Sequence, residues 1–466
     1  MNTPMSTSEQ HVHFIGIGGY GMSAIARVML EMGYTVTGSD VAQQELTEKL
    51  AAQGAKVYIG HEAQHVQGAD LVVYSTALSN DNVEKAAAEA LNIPVIHRAQ
   101  MLARLLNAKR GIAVAGAHGK TTTSSMIALV MEQCGMDPTY IIGGEIMNVG
   151  SNAKAGKSDF VVAEADESDG SFLQYYPAFG LVTNIEADHL ENYCGDFERL
   201  KAAYATFLSQ VKEDGKAIVC ADDSVLAGLI PCVKSECITY GIEAEADYRA
   251  TDIELGDRKA SFTCVYRGTP LGRVHLSVPG RHNVLNALGT LIVCLEAGIP
   301  FARAAEALTE FRGAKRRFQV LGDVDDVLVI DDYAHHPTEI IATLAAAKAT
   351  GKRIIAVFQP QRYTRTFYLL DQFSRAFGDA DEVIIVDIYS PAGEQRIEGV
   401  SAARLTELIR ENSNPNVLHI STKEEVLAHL ERNVRSDDLV LTMGAGDIWK
   451  VAKELSASLK KRHESV

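Results

Sequence analysis

The stretch GIAVAGAHGKTTTSSMIALV, residues 111–130, joins a short apolar run to a longer segment through two glycines. The first part is typical of a buried strand, and the part after Lys120 is typical of a helix. Gly116, Gly119, Lys120 and Thr121 form the pattern G-x-x-G-K-T at the junction. Glycines let backbone N–H groups approach an anion at a helix N-terminus, so we predict a phosphate-binding loop. A plain strand-helix turn with a solvated lysine is the alternative.

Polar side chains follow the next two apolar runs. The carboxyl ends of parallel strands meet at one sheet edge, so we expect these clusters beside the phosphate loop. Oxygen ligands suit Mg²⁺, and one imidazole can join them. Helix capping plus surface charge is the alternative interpretation. The first cluster contains Glu164, Asp166, Glu167 and Asp169, and the second contains Asn184, Glu186, Asp188 and His189.

A second glycine-rich loop, GIGGYG at residues 16–21, lies about a hundred residues earlier. It follows a predicted strand, precedes a predicted helix and matches G-x-G-x-x-G, with Asp40 at the end of the next strand. Taken alone, this arrangement favours a dinucleotide site and a nicotinamide-dependent oxidoreductase. That function would leave the G-K-T loop and both acidic clusters without a role.

Strand and helix signals alternate from residue 11 to about 108, which predicts a doubly wound α/β domain. A second domain, 109–318, adds the alternating segments ASFTCVYRG and GRVHLSV, which are typical of an antiparallel sheet. The α/β rhythm returns in a third domain, 319–466. We therefore predict three α/β domains, with 1–108 as the first.

Composition excludes several classes of protein. A net charge of −16 argues against a nucleic-acid binder, which needs a basic face. The seven cysteines are scattered without a C-x-x-C pair, so neither disulfides nor a zinc site is expected. The first ten residues lack the features of a signal peptide, and no apolar run suffices to cross a bilayer. We expect a cytoplasmic protein that acts on small molecules and not at a membrane.

Nine segments in order resemble the ATP-dependent Mur ligases of bacterial cell-wall synthesis. The resemblance implies an N-terminal Rossmann-like UDP-binding domain, a central P-loop ATPase domain with a mixed sheet and a C-terminal Rossmann-like domain. The segments are GIGGYGMSAIA, AGAHGKTTT, AEADESDGSFL, TNIEADHLENY, GRHNVLNAL, AKRRF, DDYAHHPTEI, QPQRYTRT and MGAGDI.

The resemblance also implies an activity. Members of this family use ATP and Mg²⁺ to build the peptidoglycan precursor, and one subgroup joins L-alanine to the lactyl carboxylate of UDP-N-acetylmuramate through an acyl phosphate. Tyr204 stands where later-acting members carry a modified lysine, which favours that subgroup. A recycling ligase that attaches a muropeptide to the same UDP-sugar, and a non-catalytic sugar-nucleotide sensor, remain alternatives. A monomer or a homodimer is expected.

The resemblance assigns candidate residues to each ligand. ATP would be bound by Gly116, Ala117, His118, Gly119, Lys120, Thr121, Thr122, His282, Asn283, Asn286, Arg317 and Asp332. The UDP-sugar would be bound by Gly16, Gly18, Gly19, Gly21, Ser39, Asp40, Ser75 and Arg98. The amino acid would be bound by Tyr333, His335, Arg362 and Arg365, and the metal by Thr121, Glu164 and His189. The catalytic set is Lys120, Glu164, His189, His335, Arg362 and Arg365, with His335 as a candidate base for the amine.

Overall fold

The computed structural model describes residues 10–464 except for residues 77, 80 and 391–393. The chain divides into two compact units. Within the described part of the chain, no helix is both long and apolar enough to cross a membrane. The first unit contains the residues up to Asp252, Phe262–His275 and Leu285–Phe311, and the second contains Ile253–Ser261, Leu276–Val284 and the residues from Arg312 onward.

The first unit begins with a five-stranded parallel sheet in the order β3-β2-β1-β4-β5. The chain reverses its direction of winding between β1 and β4, which opens a crevice at the carboxyl ends of these strands. The strands are β1 (His11–Ile15), β2 (Thr35–Asp40), β3 (Lys56–Ile59), β4 (Leu71–Tyr74) and β5 (Val95–His97). The helices are α1 (Tyr20–Glu31), α2 (Glu45–Ala52), α3 (Val83–Ala90) and α4 (Arg98–Asn107).

Helix α1 shows why this layer forms. Met22, Ile25 and Met29 recur at helical spacing and are buried, so one face of the helix packs on the sheet. Strand β1 sits in the middle of the sheet, and Val12 and Phe14 are completely buried. Parallel strands buried on both faces usually carry continuous apolar runs. In β1 the buried His13 interrupts the run, and its ring nitrogens lie within hydrogen-bond distance of Thr37 and Glu84.

A ten-stranded sheet follows in the order β15-β14-β13-β12-β11-β10-β6-β9-β7-β8. Its central strands are parallel, whereas β7 and β8 are antiparallel, so the predicted mixed sheet is confirmed. The strands are β6 (Arg110–Ala115), β7 (Thr139–Ile146), β8 (Ser151–Lys154), β9 (Phe160–Glu164), β10 (Phe179–Val182), β11 (Lys216–Cys220), β12 (Glu236–Gly241), β13 (Tyr248–Gly256), β14 (Lys259–Tyr266) and β15 (Thr269–Leu276). The helices are α5 (Lys120–Gln133), α6 (Phe197–Ser209), α7 (Ser224–Ala227), α8 (Arg281–Glu296) and α9 (Phe301–Thr309).

Helix α5 lies deep in the first unit, and every residue from Thr121 to Met131 is buried. Burial on all sides explains why its sequence lacks a polar face. Strands β14 and β15 are joined by Arg267 and Gly268 alone, and both have positive φ. A two-residue connection between neighbouring strands requires an antiparallel pair, as the alternating sequence predicted.

The second unit contains a six-stranded sheet in the order β16-β17-β21-β18-β19-β20. All pairs are parallel except β16 with β17, an antiparallel edge that the sequence did not indicate. The strands are β16 (Gln319–Val324), β17 (Val327–Asp332), β18 (Arg353–Phe358), β19 (Glu382–Ile385), β20 (Val417–His419) and β21 (Asp438–Met443). The helices are α10 (Pro337–Lys348), α11 (Tyr363–Tyr368), α12 (Leu370–Ser374), α13 (Ala402–Asn412), α14 (Lys423–Asn433) and α15 (Trp449–Glu464).

Candidate functional site

The glycine loop between β6 and α5 is held in shape by the end of β10. Thr183 Oγ1 donates to the His118 carbonyl over 2.6 Å, and Asn184 Nδ2 donates to the same carbonyl over 3.0 Å. Gly116 and Gly119 have φ values of +136° and +85°. A Cβ on Gly116 would lie 2.0 Å from Thr183 Oγ1, so only glycine fits this position. The predicted strand, loop and helix are therefore confirmed.

Lys120 is the first residue of α5 and bends back over the loop. Its Nζ donates to the Gly116 carbonyl and to both carboxylate oxygens of Glu167, at 3.0 and 2.8 Å. Burial acts to lower the pKa of Lys120, but Glu167, Asp166 and Glu164 outweigh it and raise this pKa above its ordinary value. Lys120 is therefore a cation at the mouth of the loop. The ion pair between Lys120 and Glu167 was not predicted, because the sequence placed Glu167 only in an acidic cluster.

Glu164 lies at the end of β9, on the sheet edge where the sequence predicted it. Its Oε1 accepts the Gly143 N–H over 2.6 Å and the Ser124 hydroxyl over 3.4 Å. The contact with Ser124 places this carboxylate against the first turns of α5. Thr121 and Thr122 follow Lys120 in that helix, and each is 9% exposed.

His118 and His189 occupy the loops around this edge. His118 Nε2 lies 3.2 Å from a Glu186 oxygen, and the Ala117 N–H donates to the Asn184 carbonyl over 3.2 Å. His189 follows β10 with a left-handed φ of +54°, and its N–H donates to the neighbouring Asp188 carboxylate over 2.9 Å. Glu164 ends strand β9 and His189 lies in the loop after β10, and the two residues contact different partners.

The first glycine loop is closed by the end of β2. The Ser39 carbonyl accepts the N–H groups of Gly16 and Ile17 over 2.8 and 3.0 Å. The Asp40 carboxylate accepts the Gly18 N–H over 2.8 Å. Asp40, predicted as a ligand contact, therefore also shapes the loop. Gly19 caps α1, and Gly21 lies in its first turn.

Arg98 links this loop to the ten-stranded sheet. It begins α4, and its guanidinium lies 3.5 Å from the Asp169 carboxylate in the segment after β9. A Cβ on Gly21 would stand 3.2 Å from Arg98 Nη1, so the guanidinium lies directly against the loop. Ser75 follows β4 on the same sheet edge, and its carbonyl accepts the Leu78 N–H over 3.1 Å. The structure thus brings the first loop, Arg98 and the first acidic cluster together.

In the second unit, Asp332 ends β17 and accepts two backbone N–H groups. These come from Phe318 over 2.6 Å and from Ala334 over 2.7 Å. Burial raises the pKa of Asp332 to about 6, although the Arg317 cation opposes this effect. Asp332 and Arg317 are therefore neighbours, as their shared assignment to one ligand requires.

Arg317, Tyr333 and His335 gather around Glu339 of α10. Arg317 Nη1 lies 3.6 Å from Glu339 Oε1, and the guanidinium lies 5.1 Å from the centre of the Tyr333 ring. The His335 N–H donates to Glu339 Oε2 over 2.9 Å, and His335 Nδ1 lies 2.9 Å from the Tyr333 carbonyl. Glu339 therefore contacts two candidate residues, Arg317 and His335, although no role was predicted for it from the sequence.

Arg362 and Arg365 lie at the start of α11. Arg362 has φ +67° and ψ 134°, an unfavourable conformation for a side-chain-bearing residue, and its N–H donates to the Tyr389 carbonyl over 2.9 Å. Arg365 Nη1 donates to Gln361 Oε1 over 3.2 Å. The hydrogen bond to Tyr389 holds Arg362 in this strained backbone conformation. Strained residues of this kind are common at binding sites.

The glycine segment MGAGDI, residues 443–448, is contacted by Arg316, which the sequence did not predict. Arg316 donates through Nε to Asp331 over 2.8 Å, and through its two terminal nitrogens to the carbonyls of Gly446 and Gly444 over 3.1 and 2.6 Å. The neighbouring Arg317 is the predicted ligand contact. The structure thus separates two adjacent arginines into a structural anchor and a candidate binding residue.

The first turns of helix α8 carry three residues that were predicted to contact ATP: His282, Asn283 and Asn286. Asn286 Oδ1 accepts from Thr123 of α5 over 3.2 Å, and it would lie 2.6 Å from a Cβ on Gly119. Asn283 Nδ2 donates to the Pro279 carbonyl over 2.6 Å. Asn286 therefore packs directly on the phosphate loop. His282 and Asn283 belong to the second unit.

His282 makes the stability of the second unit depend on pH. Burial, together with the Arg317 cation, lowers the pKa of His282 to about 4. Unfolding restores a pKa of about 6.5, so the unfolded chain binds more protons between these values. The stabilisation is complete above about pH 6.5 and is lost as pH falls toward 4, by up to about 3 kcal/mol.

Asp332 of the same unit acts in the opposite direction over this range, because its pKa is raised to about 6 in the folded state. We therefore expect the unfolding free energy of His282→Gln to fall less, or rise more, than that of the wild type as the pH drops from 6.5 to 4. Trp449, the single tryptophan of the chain, lies in the second unit, so its fluorescence during urea unfolding follows that unit. Identical slopes for the wild type and the variant between pH 4 and 6.5 would contradict the assignment.

Three family models match the chain in order. The model described as "Mur ligase family, catalytic domain" matches residues 11–110, "Mur ligase middle domain" matches 114–294, and "Mur ligase, glutamate ligase domain" matches 316–446. The chain therefore belongs to the Mur ligase family.

Within that family the chain is similar to the UDP-N-acetylmuramate–L-alanine ligase of Symbiobacterium thermophilum, with 50% identity over 97% of this chain and 95% of the relative. The crystal structure of the UDP-N-acetylmuramate-alanine ligase MurC from Thermotoga maritima superposes with a TM-score of 0.80 at 30% identity, over 98% of this chain and 99% of that one. A murein peptide ligase from Psychrobacter arcticus superposes with a TM-score of 0.69 at 26% identity, over 97% and 98%. The three-domain α/β fold expected from the resemblance is confirmed.

Proposed function

We propose that this protein joins L-alanine to the lactyl carboxylate of UDP-N-acetylmuramate, with hydrolysis of ATP to ADP and phosphate. The observation that carries the proposal is the presence of two glycine loops in one compact unit, the second with Lys120 paired over it. Two anionic ligands require two such loops. The full-length similarity to ligases of this name supports the assignment.

The chemistry begins with transfer of the γ-phosphoryl group to the lactyl carboxylate, which forms an acyl phosphate and releases ADP. The neutral amine of L-alanine then attacks the acyl carbon, and the tetrahedral intermediate expels phosphate. The first step brings two negative groups together, so it depends on positioning and positive charge. Lys120 supplies a buried cation at the loop, and it exchanges Glu167 for phosphate oxygens when ATP binds.

The donors at this edge fit Mg²⁺. The Glu164 carboxylate lies against α5 through its contact with Ser124, and Thr121 places a hydroxyl in the same helix. Carboxylate and hydroxyl oxygens are ligands that Mg²⁺ accepts. We assign Thr121 and Glu164 to one ion and His189 to a second. The ions would neutralise charge on the phosphates.

In the second unit, we assign Asp332 to the ribose and Arg317 to phosphate. Tyr333, His335, Arg362 and Arg365 would bind L-alanine and the transferring phosphate. Arginine suits these anions because its planar fork makes paired hydrogen bonds. His335 Nδ1 lies by the Tyr333 carbonyl and the Glu339 carboxylate, and both orient the ring of this candidate base.

A recycling ligase that takes a muropeptide is the second candidate, since a murein peptide ligase shares the fold. The L-alanine assignment is favoured by the 50% identity to a ligase of that name over 97% of this chain. Tyr204 argues against the later-acting family members but does not exclude the recycling ligase. This residue is completely buried and packs edge-on against Phe172, where later-acting family members carry a modified lysine. We place the enzyme in the cytoplasm, as a monomer or homodimer.

Phosphate release decides between these functions. The protein is incubated with ATP, Mg²⁺ and UDP-N-acetylmuramate, and each amino acid or the tripeptide is added in turn. We expect release that requires L-alanine. Release with only the tripeptide would identify the recycling ligase, and oxidation of a nicotinamide cofactor would overturn both.

Arg98→Ala should weaken binding of the UDP-sugar. Arg98 lies against the first loop, and loss of a charged hydrogen bond to the diphosphate should raise the KM for UDP-N-acetylmuramate by about tenfold or more. We expect the KM for ATP to change little. The matched control is Arg104→Ala on the same helix. Equal rises in both Michaelis constants, or none in either, would argue against the assignment.

A further inference from the structure

Glu84 is a completely buried carboxylate at the start of α3 in the first domain. The Ser39 hydroxyl donates to Oε2 over 2.5 Å. His65 Nδ1 lies 2.7 Å from Oε1, and the Glu62 N–H donates to the same oxygen over 3.2 Å. His13 Nε2 adds a contact of 3.3 Å to Oε2. Four donors from three segments of the chain thus converge on one carboxylate.

These contacts keep Glu84 ionised. Burial acts to raise the pKa of this carboxyl, but the hydrogen bonds from His13, Ser39 and His65 outweigh it and lower the pKa to about 2. An ionised carboxylate only accepts hydrogen bonds. The single hydroxyl proton of Ser39 therefore points at Glu84.

The direction of that proton determines the state of His61. His61 Nδ1 lies 2.9 Å from Ser39 Oγ, whose proton is already committed to Glu84. The imidazole must therefore donate from Nδ1. In the neutral ring, the proton on Nδ1 leaves Nε2 as an acceptor. His61 is 20% exposed, and its Nε2 has no hydrogen-bond partner among the residues that the structure describes.

Ser39 and His61 stand where a nucleoside is expected. Ser39 is in β2 and its carbonyl closes the first glycine loop, while His61 follows β3, the neighbouring strand. In dinucleotide-binding folds, the diphosphate lies at the loop and the nucleoside lies at the end of the second strand. His61 Nε2 therefore offers an acceptor at the nucleoside end of this crevice.

We propose that Glu84 is a positioning residue for the nucleoside of the UDP-sugar. It fixes the Ser39 hydroxyl, and through Ser39 it sets the tautomer of His61, which accepts a hydrogen bond from a uridine donor. That donor is the ring N–H or the ribose 2′-hydroxyl. The inference rests on the proposed function, because it assumes that the first loop holds a uridine diphosphate.

The test measures UDP binding by calorimetry at pH 8, which needs no turnover. We expect Glu84→Gln and Ser39→Ala each to weaken UDP binding by about tenfold, since each disrupts a hydrogen bond to a charged group. The double variant should bind no more weakly than the worse single variant, because both act through one chain of contacts. Glu89→Gln, an exposed residue on the same helix, is the matched control.

A ¹⁵N NMR spectrum adds a readout that a merely structural role would not move. His61 should carry its proton on Nδ1 in the wild type, and Glu84→Gln, which removes the carboxylate that orients Ser39 and lies 3.6 Å from His61 Nδ1, should shift it toward Nε2. CDP and 2′-deoxy-UDP then identify the donor, because CDP lacks the ring N–H and the deoxynucleotide lacks one hydroxyl.

The outcomes separate the two proposals. Absence of UDP binding by the wild type would overturn the function itself. Normal UDP binding by both single variants, or an unchanged His61 tautomer in Glu84→Gln, would overturn only the role of Glu84. Equal binding of UDP, CDP and 2′-deoxy-UDP would show that His61 accepts no hydrogen bond from these donors. That result would also contradict the inference.

Discussion

Lys120→Ala will lower the turnover number by a factor of about 100 or more. The lysine amine lies over the glycine loop and its side chain is only 17% exposed. Removing one electrostatic group from such a site costs about 3 kcal/mol of transition-state stabilisation. The measurement is phosphate release at saturating ATP, UDP-N-acetylmuramate and L-alanine. A near-normal turnover number would remove the basis for the ATP assignment.

The control for this variant comes from Glu167. Its side chain is 4% exposed and pairs with Lys120, so alanine at 120 leaves an unpaired buried carboxylate and also destabilises the fold. Adding Glu167→Gln removes that charge. We expect the double variant to recover thermal stability while turnover stays low. Recovery of both would mean that Lys120 serves the fold alone.

Gly116→Ala will destabilise the first unit and abolish tight ATP binding. The φ of +136° is costly for alanine, and the new Cβ would lie 2.0 Å from Thr183 Oγ1. Strain and overpacking together amount to about 3 kcal/mol or more. Thr183 also donates a hydrogen bond to the His118 carbonyl, so displacing Thr183 would disturb the whole loop. Calorimetric melting and titration with a non-hydrolysable ATP analogue measure the two effects.

Gly135→Ala is the matched control, because it lies just beyond the other end of α5. Its φ is +82°, and a Cβ there meets nothing within 4 Å. It should cost only the backbone strain, about 1 kcal/mol, and leave ATP binding intact. Thr183→Ala added to Gly116→Ala removes the clashing atom and should restore part of the stability. Equal effects of the two glycine variants would contradict the steric argument.

The sequence predicted the parts of the site that are local. The strand, loop and helix around Lys120 are confirmed because glycine spacing and apolar periodicity act over a few residues. The strand ending at Glu164 was also predicted correctly. Strands β5, β7, β8, β12, β13, β16 and β20 were not predicted. Strand β7 carries two glycines that weaken its pattern, and β16 is an edge strand whose residues are mostly exposed or half-buried.

Partners far apart in the chain were not predictable. Lys120 with Glu167, Arg98 with Asp169, and Arg316 with Gly444 each join segments that the sequence treats separately. Adjacent Arg316 and Arg317 have the same local signal, and both guanidinium groups lie over the Tyr333 ring. Yet Arg316 anchors a glycine segment and Arg317 faces Glu339. Only packing decides which arginine is committed to the backbone.

The sequence by itself determined the three α/β domains, the two glycine loops and the family, because these depend on short-range patterns and on residue types at set spacings. The tertiary structure alone decided which carboxylate pairs with Lys120, that Asp40 closes the first loop, and that Glu84 is buried among His13, Ser39 and His65. The physical reason is that the pKa of a carboxylate and the direction of a hydroxyl proton depend on neighbours in space, and folding brings those neighbours together from distant parts of the chain.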